Sequence, residues 1–126
     1  MKKWMVFILT IIGIFGVYVL VSLWISTNYI VVREYEADTG KCANPIRAVV
    51  VSDLHDHEFG KGNTRLAEKI LETEPDIIIL DGDMLNNVSE DASVPLELMQ
   101  ELRRKMEEEI PVYYAWGNHE IEYLGN

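Results

Sequence analysis

Residues 48–55 read AVVVSDLH, an apolar run that ends in an aspartate and a histidine two positions apart. Two further apolar runs, at residues 77–80 and 112–115, are followed in the same way by Gly-Asp at 82–83 and Gly-Asn-His at 117–119. Runs of this length that alternate with helix-like stretches are typical of buried strands in a parallel sheet. Functional groups in such sheets collect just beyond the carboxyl ends of the strands. The sequence therefore predicts three polar clusters at one edge of one sheet.

The segments around the first two runs predict the start of the fold. We expect strands over residues 46–52 and 76–80. The helix between them should begin at Asn63 or Thr64, either of which can cap it, and Pro75 should end it.

A second helix is predicted over residues 94–109, and Pro111 separates it from the third strand. The apolar side chains on one side of this helix, which we interpret as core packing, are Leu98, Met99, Leu102 and Met106. The fold class is α/β, with the order βαβαβ and right-handed crossovers.

The clusters have the chemistry of a metal site. Asp53 and His55 would point to the same side of a strand end. A carboxylate with an imidazole suits Zn²⁺, Mn²⁺ or Fe ions rather than Ca²⁺. The Asp83 carboxylate could bridge two ions ~3.5–4 Å apart, and Asn118 could offer a carbonyl oxygen. His119 would then be free for proton transfer.

Each cluster alone also fits a turn or a surface histidine. Their occurrence in order at three strand ends favours the metal site.

The ordered set resembles the signature of the calcineurin-like metallophosphoesterases. The matching segments are Asp53-Leu54-His55, Gly82-Asp83 and Gly117-Asn118-His119-Glu120, and the resemblance covers residues 46–126. It implies the N-terminal βαβαβ portion of that family's α/β sandwich. It also implies a metal-dependent hydrolase of phosphomonoesters, phosphodiesters or pyrophosphates.

The resemblance further implies a role for each site residue. Asp53 and His55 would bind the first of two divalent ions, Asp83 would bridge, and Asn118 would bind the second. His119 would act on the phosphoryl group or the leaving oxygen.

The chain departs from the family pattern in two ways. Many members carry an aspartate three residues after the bridging one, where it orients the histidine of the third motif, and here that residue is Asn86. The family's later Gly-His and Gly-His-x-His motifs do not occur in these 126 residues. We therefore expect the front part of a larger protein, with one or both sheet faces poorly covered and little activity of its own. The alternative is a catalytically inactive fragment or a binding module that retains the motifs.

Residues 4–25 carry no charge, and at ~1.5 Å per residue they would span ~33 Å, enough to cross a bilayer. Lys2 and Lys3 precede this run, so the positive-inside rule places the N-terminus in the cytoplasm. We expect residues 1–3 in the cytoplasm and a signal-anchor helix over 4–26 that contacts membrane lipid.

A connector would then cover residues 27–45, and the catalytic domain at 46–126 would lie outside. The alternative for the apolar run is a cleaved signal peptide.

The charge balance limits the possible partners. The chain has 21 acidic and 11 basic residues, a net charge of −10, and every acidic residue follows Arg33. Such a domain lacks the basic face that nucleic-acid binding requires, so we expect none. Cys42 is the only cysteine, which excludes an intrachain disulfide.

Overall fold

Strand β2 (Ile77–Asp81) forms the centre of a three-stranded sheet, between β1 (Ala48–Val51) and β3 (Val112–Ala115). Both pairings are parallel. The predicted α/β class and the βαβαβ order are confirmed, although β1 is shorter than the expected 46–52. The computed structural model describes residues 2–41, 43–89 and 91–125, so Cys42 lies outside the described residues.

The sheet is covered on one face. Ile78 and Leu80 are fully buried, and their neighbours in register on the same face are half-buried. On the other face, Val50 is 57% exposed and Tyr113 is 60% exposed. The prediction that all three runs are buried is therefore wrong for the outer face of β1 and β3. The expectation of a poorly covered sheet face is confirmed for the described residues.

Two helices connect the strands, and they pack against each other. Helix α2 (Thr64–Leu71) buries Leu66 and Ile70, and helix α3 (Ser93–Lys105) buries Leu98 and Leu102. An ion pair between Lys105 and Glu68, with Nζ 2.8 Å from Oε1, joins the two helices at their surface.

Helix α3 ends at Lys105, before the predicted residue 109. Three basic residues lie in its last turn, where they complement the negative end of the helix dipole, whereas the glutamates at 107–109 would oppose it. The apolar stripe is also narrower than predicted, because Met99 is exposed and Met106 is half-buried.

Asn63 does not cap α2. It has a left-handed backbone (φ 59°) and makes no capping hydrogen bond. Its buried side chain instead accepts the N–H of Phe59 at 3.0 Å and donates to the carbonyl of Val94 at 3.4 Å. Thr64 is the first residue inside the helix. The side chain of Asn63 therefore links the loop before α2 to the start of α3.

Helix α4 (Asn118–Gly125) follows β3 directly. Sequence patterns did not predict it, because its eight residues are too few for a clear helical period. It carries the third cluster on its first turn.

A separate unit spans Met1–Arg33 and contains α1 (Lys3–Asn28). The helix is long and apolar enough to cross a membrane, although a signal sequence near the N-terminus would meet the same criterion. The hydroxyls of Thr10 and Thr27 donate to carbonyls four residues earlier, at 2.9 and 2.8 Å. These bonds within the helix satisfy the two hydroxyl groups, with which lipid chains could not form hydrogen bonds.

Candidate metal centre

The first two clusters lie on loops that turn sharply as they leave β1 and β2. Asp53, His55, Asp56 and Asp83 all have positive φ, at 55°, 47°, 59° and 50°. Left-handed backbone costs a non-glycine residue about 1–3 kcal/mol and is concentrated at functional sites. Its repeated use here indicates that surrounding contacts hold these side chains in one arrangement.

Backbone hydrogen bonds provide that hold. The N–H groups of Asp53 and His55 donate to the carbonyls of Gly82 and Asp83, at 3.2 and 3.1 Å. Asp56 N–H donates to the Met84 carbonyl at 3.1 Å. The two loops therefore continue to pair beyond the strands.

Strand periodicity is not what brings Asp53 and His55 together. Strand β1 ends at Val51, and both residues lie in the turn that follows. Their side chains are nevertheless adjacent, with His55 Nε2 3.7 Å from Asp53 Oδ1. The Ser52 hydroxyl donates to Asp53 Oδ2 at 2.7 Å and orients that carboxylate.

Three side chains from three distant segments converge at the carboxyl edge of the sheet. One ligand atom each from His55, Asp83 and His119 lie within 4.8 Å of one another, and all three residues are half-buried. The two imidazole rings meet edge to face with centroids 4.8 Å apart. Asp83 Oδ1 also accepts the backbone N–H of His119 at 3.0 Å.

The other two predicted ligands, Asp53 and Asn118, are more exposed than this trio. Asp53 contacts His55 but its side chain is 67% exposed. Asn118 is exposed at the first position of α4. The trio thus combines two predicted ligands, His55 and Asp83, with His119, for which the sequence predicted catalysis.

His119 is oriented by a backbone donor. The N–H of Asn87 donates to His119 Nδ1 at 3.1 Å. A nitrogen that accepts a hydrogen bond carries no proton, so the neutral ring is protonated on Nε2. The ring can therefore donate a hydrogen bond from Nε2.

Asn86 does not contact the His119 ring through its side chain amide, which donates instead to the His55 carbonyl at 3.1 Å. The position that the family resemblance led us to expect to orient the histidine thus supports the first loop here. The backbone N–H of the next residue, Asn87, contacts the His119 ring instead.

Glu120 is the site residue that chemical reasoning on the sequence missed. It is 3% exposed, and its two carboxylate oxygens accept five hydrogen bonds. The donors are the backbone N–H groups of Asp83, Met84, Leu85 and Gly117 and the hydroxyl of Tyr114, at 2.7–3.1 Å. Its position within the third motif was the only available signal.

The carboxylate of Glu120 is stabilised despite its burial. Burial alone would raise its pKa, but the hydrogen bonds from Leu85, Gly117, Asp83 and Tyr114 outweigh that effect and lower the pKa to about 2. Burial and the nearby carboxylate raise the pKa of Tyr114 above its usual value, so the phenol remains a donor.

Two glycines allow the second and third loops to touch. A Cβ on Gly82, whose φ is 74°, would lie 2.6 Å from the backbone nitrogen of Gly117. A Cβ on Gly117 would lie 2.5 Å from the backbone nitrogen of Asp83. Both contacts are too short for any side chain, so the Gly-Asp and Gly-Asn-His patterns reflect close backbone approach.

The residues present fit a divalent cation. Nδ1 of His55 is buried and, within the described residues, has no hydrogen-bond partner. The ion pairs that Arg47, Lys69, Arg104 and Lys105 form with glutamates do not involve Asp53 or Asp83. Imidazole and carboxylate donors suit an ion of the Zn, Mn or Fe class.

Comparison with known proteins identifies the domain. Neither the curated proteins nor the solved structures contained a significant match. The family model for calcineurin-like phosphoesterases matches residues 46–126, which include the sheet, its helices and all three polar clusters. The chain therefore belongs to the calcineurin-like phosphoesterase family.

Proposed function

We propose that this chain carries the metal-binding half-site of a membrane-anchored phosphoester hydrolase that acts on phosphomonoesters, phosphodiesters or pyrophosphates. The family supports hydrolase chemistry in general. The observation that carries the proposal is the convergence of two candidate metal ligands, His55 and Asp83, with the candidate catalytic residue His119, since one nitrogen or oxygen atom of each lies within 4.8 Å of the others. They come from three loops that follow three parallel strands, which is where α/β enzymes bind substrate.

Asp53 and His55 would hold one divalent ion, Asp83 would bridge to a second, and Asn118 would contribute to the second. The 3.7 Å contact between Asp53 and His55 supports their joint use. The half-buried Asp83 supports a shared role, because it lies between the first and third loops. When bound, ions of the Mn, Fe or Zn class polarise the phosphoryl group and activate water for in-line attack.

His119 would donate a hydrogen bond to the substrate and stabilise the negative charge that develops there. Because the Asn87 N–H donates to Nδ1, the proton of the neutral ring is on Nε2. That group can donate to a phosphoryl oxygen or to the leaving oxygen. A protonated nitrogen cannot ligate a metal, which supports a catalytic role for His119 over a ligand role.

Helix α1 would anchor the protein in the cell membrane, with residues 1–3 in the cytoplasm and the domain outside. Its length and apolar composition support the anchor. Lys2 and Lys3 support the orientation. The phosphoester would then be hydrolysed at the outer face.

Manganese binding to the full chain in detergent micelles tests the proposal, with electron paramagnetic resonance reporting affinity and stoichiometry. We expect Asp83→Asn to weaken Mn²⁺ binding by at least ~10²-fold, since even outer-shell changes cost 10- to 100-fold. Asp76→Asn is the matched control. Asp76 precedes β2, at the end of the strands opposite the metal centre, and an amide oxygen there can still accept the Arg47 N–H. Equal affinity in the two variants would overturn the metal site.

Turnover of an aryl phosphodiester, measured in parallel, tests the hydrolase assignment. Activity that is lost in Asp83→Asn and kept in Asp76→Asn supports the enzyme. This chain is expected to have little activity, so the readout is weak turnover. Tight Mn²⁺ binding without even weak turnover of a phosphomonoester, a phosphodiester or a pyrophosphate would instead identify a binding module.

A further inference from the structure

We propose that Asp56 and Ser89 are positioning residues for His119 and that they act through the backbone of Asn87. The proposal rests on the catalytic role proposed for His119. Asp56, Asn87 and Ser89 all lie outside the three sequence motifs.

Asp56 reaches from the first loop to the segment that follows the second. Its backbone is left-handed (φ 59°), and its N–H donates to the Met84 carbonyl at 3.1 Å. Its Oδ2 accepts the N–H of Asn86 at 3.1 Å and also the hydroxyl of Ser89. One carboxylate oxygen therefore holds both ends of the segment 86–89.

That segment is a tight turn. Ser89 N–H donates to the Asn86 carbonyl at 3.1 Å, the i to i+3 bond of a β-turn. The Ser89 hydroxyl lies 2.9 Å from the Asn86 nitrogen and 2.6 Å from its carbonyl oxygen. The Asn86 side chain adds a bond to the His55 carbonyl at 3.1 Å.

The backbone N–H of the second residue of the turn, Asn87, points away from the turn and toward His119. The N–H of Asn87, at the second position, donates to His119 Nδ1 at 3.1 Å. A backbone N–H has no alternative proton position, so the ring must accept at Nδ1 wherever the turn holds this donor in place. Asp56 and Ser89 therefore set the orientation and tautomer of His119 through the turn.

This arrangement accounts for the departure at Asn86. A side-chain carboxylate would accept from Nδ1–H, whereas a backbone N–H donates to a bare Nδ1. The two arrangements place the ring proton on opposite nitrogens. Here the proton is on Nε2, the nitrogen that the Asn87 contact leaves available to a substrate.

Nitrogen NMR on the full chain in detergent micelles tests the proposal without metal or turnover. The chain has three histidines, so ring signals labelled with ¹⁵N can be assigned by substitution. In mildly alkaline, chelated buffer, His119 should show a bare Nδ1, a protonated Nε2 and a through-hydrogen-bond coupling to the Asn87 nitrogen. Asp56→Ala and Ser89→Ala should abolish the coupling and average the two ring signals.

Asp56→Asn supplies the rescue variant, since its amide oxygen can still accept both bonds, and it should restore the coupling. Asp91→Ala is the matched control: Asp91 is an exposed aspartate that accepts the Ser93 N–H at 2.8 Å. It should leave the His119 signals unchanged. If Asp56→Ala does not fold, Ser89→Ala and Asp56→Asn still decide the outcome.

Kinetics separate positioning from simple loop stability. Asp56→Ala should lower kcat at least ~10-fold for an alkyl phosphodiester, with KM little changed. The effect should be smaller for an aryl phosphodiester, because its leaving oxygen carries less negative charge and depends less on the hydrogen bond from Nε2–H. Unchanged His119 signals in Asp56→Ala and Ser89→Ala, or equal loss of kcat for both substrates, would overturn the proposal. Failure of the metal centre would appear separately, as Mn²⁺ binding that is insensitive to Asp83→Asn.

Discussion

Glu120 accepts the backbone N–H of Asp83 at 2.9 Å, although the two residues lie 37 positions apart in the chain. The same carboxylate oxygen accepts the N–H of Gly117 at 2.8 Å. One buried side chain thereby joins the second loop of the candidate metal centre to the third. The stability of the domain and the geometry of the centre are therefore coupled through Glu120.

We predict that Glu120→Gln destabilises the metal-free protein by about 1–3 kcal/mol, the cost of leaving buried donors unsatisfied. The glutamine NH₂ would face backbone N–H groups that now point at an oxygen. Urea unfolding, followed by near-ultraviolet circular dichroism, measures the change.

The matched control for that prediction is Glu72→Gln. Glu72 forms a surface ion pair with Lys69 at 2.8 Å, and its loss should cost no more than about 0.5 kcal/mol. Equal destabilisation by the two changes would mean that Glu120 is not the link between the loops.

Acid should weaken the metal-free domain over a defined range. The pKa of Glu120 is about 2 in the folded protein against an ordinary value of 4.5, so the unfolded chain binds the proton first as pH falls. The stability from Glu120 is complete above about pH 4.5 and is lost as pH falls toward 2. Unfolding free energies across this range should decline less steeply in Glu120→Gln, and parallel slopes would contradict the assignment.

Gly117→Ala should disrupt both the centre and the fold around it. The added Cβ would lie 2.5 Å from the Asp83 nitrogen, so the second and third loops must separate. We expect Mn²⁺ affinity to fall by at least ~10-fold, as when other supports of metal ligands are removed. Gly125→Ala is the control, because nothing lies within 4 Å of its added Cβ. Electron paramagnetic resonance should show unchanged Mn²⁺ binding in this control, and normal binding by Gly117→Ala would refute the close approach.

Protease added to intact cells should degrade the acidic domain if α1 is an anchor with its N-terminus inside. Immunoblotting with tags at either end reports which part survives. Replacement of Lys2 and Lys3 by glutamate, which removes the positive-inside bias, should increase the protected fraction. A wild-type domain that is fully protected until the cells are lysed would reverse the orientation.

Local patterns in the sequence were enough to predict the α/β class, the βαβαβ order along the chain and the gathering of His55, Asp83 and His119 from three clusters at one edge of the sheet, although the metal group predicted was Asp53, His55, Asp83 and Asn118. Hydrophobic period, proline and glycine act over a few residues, and a parallel sheet collects the carboxyl ends of its strands at one edge. The uncharged run at residues 4–25 predicted the apolar helix for the same reason.

Tertiary structure decided how the converging groups are held. Asn87 reaches His119 because Asp56 and Ser89 fix a turn, and Glu120 is ionised because four backbone N–H groups and Tyr114 surround it. Hydrogen bonds between residues more than 30 positions apart depend on where whole loops lie, and no local period records that. The left-handed backbone at Asp53 and His55 could not be predicted from the sequence for the same reason. Pairing with the second loop stabilises a backbone conformation that aspartate and histidine otherwise disfavour.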